Sequence, residues 1–300
     1  MTELQHKTLS TFIVTAISFL GFQALVFIVS IYQLGQYFRA AFWIYAFLVF
    51  WLLFIFDLHL RNRGVFALLK LKHNGVRLVW EALKKRVEHV FNWHYFSHLL
   101  AFLVLPSIIF WSTVALIALN PFAEQIKQII VVMTVINLAV AYWYFTERFS
   151  KKLEAHELGL KVLNLVKLFA AYLAAASILG LTWYFGFGEG FLLAGIFTLT
   201  FLVMYQALFQ HKLLKLSSEF YALGVAGACS LAGLWLYSNW DLQYFSGGIV
   251  VLATYNALWG ILHHHLDQSL NKKLVGEYLL MLLVVFSILF ATHNFAGRVL

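Results

Sequence analysis

Nine times along its 300 residues the chain passes through a run of about twenty apolar residues and then a short polar connection. Runs of that length, coiled as α-helices, match the roughly 30 Å hydrocarbon core of a bilayer. They fall at about 9–31, 38–59, 94–118, 127–147, 162–184, 189–210, 218–238, 245–265 and 274–293. The sequence therefore predicts an all-α fold: a polytopic integral membrane bundle of about nine transmembrane helices, forming a single transmembrane domain over 1–300. A transmembrane β-barrel would alternate apolar and polar residues over ten-residue strands, and the chain does not. With 62% hydrophobic and 11% charged residues, it lies far from soluble domains, where about 25% charge is usual.

The connections sort into two sets. After the second, fourth, sixth and eighth runs come Arg61, Arg63, Lys84, Lys85, Lys151, Lys152, Lys212, Lys215, Lys272 and Lys273, while the alternate connections nearly lack Lys and Arg. The positive-inside rule then predicts the N-terminus inside and the C-terminus outside, as expected for a multi-pass protein of a bacterial inner membrane. The net charge of +8 is explained by these loops, so no nucleic-acid partner is expected; membrane lipids are. The first run is too long for a signal-peptide core and is read as a retained span. Residues 63–91, interrupted by Asn74-Gly75, mix basic and apolar positions and predict interfacial amphipathic helices on the anionic inner leaflet. A single cysteine, Cys229, excludes an internal disulfide and any cysteine-built metal site.

The titratable residues are unevenly placed. Eleven of the twelve histidines fall in connections or span ends on the basic side. His94 and His98 open the third span four residues apart, on one helical face, a spacing at which two imidazoles reach one metal ion. His211 closes the sixth span. His263, His264 and His265 close the eighth and are followed by Asp267, four residues after His263. At 3.6 residues per turn three adjacent histidines cannot share one site, so at least one is expected to point away. Imidazole is also at home at headgroup depth, bonded to water or lipid phosphate, which is the plainer account of an isolated histidine.

The candidate metal ligands are thus His94, His98, His211, His263, His264 and Asp267. An imidazole-rich set suits a transition metal, iron first, with zinc or copper as alternatives. Two histidines on facing helices would equally serve a haem, and Gly260, four residues before His264, is the small residue such a ring needs nearby. His94-x-x-x-His98 is similar to the first histidine box of the membrane fatty-acid desaturases and hydroxylases. The two HxxHH boxes of those families are absent, so no family assignment follows. The leading functional expectation is a histidine-ligated oxidoreductase acting on a lipid or isoprenoid, an apolar small molecule entering from the bilayer. The alternatives are a transporter or lipid-moving protein, and a non-catalytic, haem-binding subunit. No Walker loop and no GxSxG sequence occurs, which leaves ATPase and serine-hydrolase chemistry without residues to rest on.

Overall fold

A computed structural model describes residues 3–60, 80, 84, 93–120, 123–149, 157–211, 213, 216–239 and 244–292, with some side chains, including those of 51–60 and 93–102, outside the described set. The described residues form nine helices: α1 (Glu3–Ile31), α2 (Leu34–Leu60), α3 (Trp93–Leu119), α4 (Glu124–Phe149), α5 (Glu157–Phe185), α6 (Gly188–Gln210), α7 (Leu216–Asn239), α8 (Tyr244–Leu266) and α9 (Lys272–Thr292). Each expected span coincides with one of them to within a few residues at most ends. No strand occurs among the described residues. Seven of the helices (α1 and α4–α9) are long and apolar enough to cross a membrane, and the described side chains of α2 and α3 add shorter apolar stretches, Leu34–Phe50 and Leu103–Leu119. Large apolar side chains such as Phe12, Trp43 and Leu231 are exposed, as they must be where the surrounding solvent is hydrocarbon. The chain is a helical membrane bundle. The interfacial segment expected at 63–91 lies outside the described residues, apart from the helical Trp80 and Lys84.

The chain divides into two compact units. The first comprises residues 1–110 and 120–166, the second residues 111–119 and 167–300. In the first, α1 and α4 run antiparallel. Near one end Lys7 lies over the Trp143 ring at 3.8 Å and Ser10 bonds Tyr142. Near the other, Lys127 donates to Ser30 at 3.1 Å and pairs with Glu124 at 2.8 Å. Between these, Gln23 and Gln128 bond each other twice. Tyr45 of α2 meets Ser107 of α3 at 2.7 Å, one residue after Pro106, through which α3 continues.

In the second unit small residues bring helices into close contact, the usual device where no hydrophobic force drives helix association. Gly248 of α8 crosses α5 so closely that an added Cβ would sit 3.0 Å from the Ala176 side chain and 3.1 Å from its backbone nitrogen. Gly195 of α6 takes Ile178 of α5, and Gly233 of α7 takes Ile196 of α6. The α5–α6 turn uses Gly186 and Gly188 at φ values of 67° and 57°, which side-chain-bearing residues rarely adopt.

A histidine–carboxylate chain at one end of the second unit

The second unit gathers titratable groups where α6 and α8 end. Helix α8 stops in a Schellman arrangement: Ser269 N–H bonds the His264 carbonyl at 2.9 Å and Gln268 N–H the His265 carbonyl at 3.2 Å. The left-handed position this motif requires is held by Gln268, at φ 57°, where glycine would be the usual choice. Asn271 then caps α9 through its side chain to the Leu274 N–H at 2.8 Å. This tight turn keeps Asp267 beside the last turn of α8.

His263 Nε2 lies 3.2 Å from His211 Nδ1 and 3.3 Å from Asp267 Oδ2. Both separations are long for a direct hydrogen bond and fit a three-centre arrangement, in which one N–H is shared between two acceptors. The two imidazoles meet edge to face, with centroids 4.6 Å apart. The Trp259 ring packs on both, at 5.7 Å from His211 and 5.4 Å from His263. His263 is a quarter exposed and Asp267 about two-fifths, so the chain has one wet end and one end inside the unit.

The three consecutive histidines serve three neighbouring helices. His263 turns to His211, just past the end of α6. His264 turns to α9: its Nδ1 is 2.8 Å from Ser269 Oγ and its ring is near Tyr278. His265 turns to Tyr221 of α7, centroid to centroid 5.9 Å. Of the six candidate ligands the structure therefore joins His211, His263 and Asp267 and directs His264 elsewhere. His94 and His98 lie in the first turns of α3, in the first unit, and their side chains are outside the described set. The two contacts of His263 meet at one nitrogen, so the three residues form a chain and not a ring about a common centre. Among the described residues, no group of three or more His, Cys, Asp or Glu side chains is arranged to hold a metal ion. The space beside Gly260, considered for a haem, is filled by the Tyr278 ring.

Sequence reasoning passed over the polar groups deeper in the same unit. Lys167 of α5 is buried, 3% exposed, and close enough to act electrostatically on His263. Gln206 and Gln210 of α6 are buried as well. The signal was present: Lys167 falls five residues inside an expected apolar span, and an ionisable residue there is costly enough to mark a functional position. Beyond them lies a small cavity between α5, α6 and α8.

Compared with protein-family models, curated proteins and solved structures, the chain matches none. Its function has to be argued from the site.

Proposed function

We propose that the protein is a transport protein of the bacterial inner membrane, moving a solute or lipid, with turnover linked to protonation of the His211–His263 pair. The observation that carries this reading is the shared His263 Nε2 contact, which joins two imidazoles to a carboxylate at the end of two membrane-crossing helices. Imidazole changes charge within the physiological pH range, and a carboxylate beside it favours the protonated form. The buried Lys167, Gln206 and Gln210 continue the polar character into the apolar part of the unit, as transport pathways do. Under the positive-inside orientation the histidine end faces the cytoplasm.

The test is reconstitution into liposomes carrying an internal pH dye and, separately, a fluorescent phospholipid quenched from outside. Proton entry or lipid movement above the protein-free level, lost in His211→Ala and His263→Ala, supports the proposal. Wild-type protein indistinguishable from empty liposomes in both assays overturns it.

A second reading is favoured by one observation. Helix α3 is continuous through His94 and His98, so the two share a face as a metal-binding pair would. This reading keeps the histidine-ligated oxidoreductase acting on a lipid or isoprenoid, with iron, zinc or copper bound, or haem in place of a simple ion. Near-stoichiometric metal in purified protein, lost in His94→Ala, or a haem absorption band, decides for it.

A further inference from the structure

The cavity in the second unit has a volume of about 10 Å³ and is lined by Ala171 of α5, Thr200 and Val203 of α6, and Val251 and Tyr255 of α8, among others. That is close to what one water molecule needs, and Thr200 and Tyr255 supply two hydroxyl partners. Thr200 is also hydrogen-bonded to the Cys229 thiol of α7.

All three cavity helices carry polar groups from this level toward the histidine end. On α5, Lys167 precedes Ala171 by four residues and so lies one turn lower on the same face. On α6, Gln206 and Gln210 follow Val203 by three and seven residues. On α8, Trp259 and His263 follow Tyr255 by four and eight. Lys167 is thus placed between the cavity and His263, and it senses the charge of His263 directly. The other charged groups near His263 are Asp267 and His264.

We infer that His263, Lys167 and a single water held by Thr200 and Tyr255 form one proton path, leading from Asp267 at the wet end into the middle of the second unit. The path rests on the proton role proposed for His263 but needs no transported solute. Each group along it accepts one proton and releases another: His263 passes a proton to neutral Lys167, Lys167 passes one to the cavity water, and the Thr200 hydroxyl relays one to the Cys229 sulfur as the original thiol proton leaves. Only N–H, O–H and S–H bonds break and re-form, so no oxidant or reductant is required.

Because the chain has one cysteine, its S–H stretch is a single infrared band and reports proton access to this point. Protein in lipid is transferred from H2O to D2O and the loss of the S–H band followed. The expected result is rapid exchange in wild type and much slower exchange in His263→Ala, Lys167→Met and Lys167→Arg. Arginine keeps the cation but does not release its proton near neutral pH, so it separates proton transfer from charge and packing. An unchanged S–H frequency, set by the Thr200 bond, shows that a variant has kept its fold. Should Lys167→Met fail to fold, Lys167→Arg decides. Wild-type exchange rates in Lys167→Arg, or no exchange in wild type while the helix-end amides exchange, overturn the path. Lysine-dependent exchange without flux in liposomes would leave the path standing and remove the transport reading. Flux with lysine-independent exchange would do the reverse.

Discussion

Each unit buries a lysine in a membrane-crossing helix, and the two lysines are handled in opposite ways. Lys127, 1% exposed in the first unit, meets the fixed negative charge of Glu124 one turn away and the hydroxyl of Ser30, itself bonded back to the Val26 carbonyl. Its surroundings favour one charge state. Lys167 in the second unit acts on His263, a group whose own charge is variable. Burial alone therefore does not mark a working lysine. The neighbour does: a permanent counter-charge ties two helices together, whereas a titratable neighbour makes each group's proton depend on the other's.

That contrast can be broken or sharpened by substitution. The largest expected effect comes from separating the helices that carry the second site. Gly248→Leu pushes a side chain into the Ala176 backbone, which has no room to yield, and is expected to cost about 3 kcal/mol through overpacking. A strongly lowered thermal midpoint in detergent is the readout, and a wild-type midpoint would show that the α5–α8 crossing is looser than described. Next, Lys127→Ala removes a well-packed chain and its bonds and should cost about 2 kcal/mol. Lys127→Met restores the volume without a charge, and replacing a buried ion pair by apolar packing is often neutral. Wild-type stability for Lys127→Met, together with slow thiol exchange in Lys167→Met, would establish the difference between the two lysines; a flux defect in Lys127→Met would erase it.

A smaller change in the opposite direction is expected at the α8 terminus. Gln268→Gly relieves a left-handed backbone and should raise stability by about 1 kcal/mol, measurable as a higher thermal midpoint. If the midpoint falls instead, the Gln268 side chain contributes more than its backbone costs. The smallest effect belongs to the first unit: Lys7→Gln removes an exposed-site cation–π contact with Trp143 and should cost about 0.5 kcal/mol.

The helices were legible in the sequence because a bilayer fixes both the length and the polarity of whatever crosses it. Even short connections such as Phe185–Gly188 were marked by their glycines. The candidate site was legible only in part. That His263, His264 and His265 could not share a site follows from helical geometry, but which neighbour each one meets depends on how α6, α7 and α9 surround α8, and that is set by contacts such as Gly260 with Tyr278. His211 and His263 are 52 residues apart, and nothing local in either segment announces their meeting. Lys167 was readable in principle, as a lone cation well inside an apolar run.

The seating of Tyr278 against Gly260 also bears on how the protein is made. Helix α9 follows α8 out of the ribosome and presents mostly lipid-facing residues, among them Leu279, Leu280 and Leu283. Until it arrives, the ring that covers Gly260 and lies near His264 is absent, so the end of α8 stays open while the rest of the second unit is already in the bilayer. Completion of the histidine end is thus deferred to the insertion of α9, and a chain stalled before that step would hold α5 through α8 with an unfinished site.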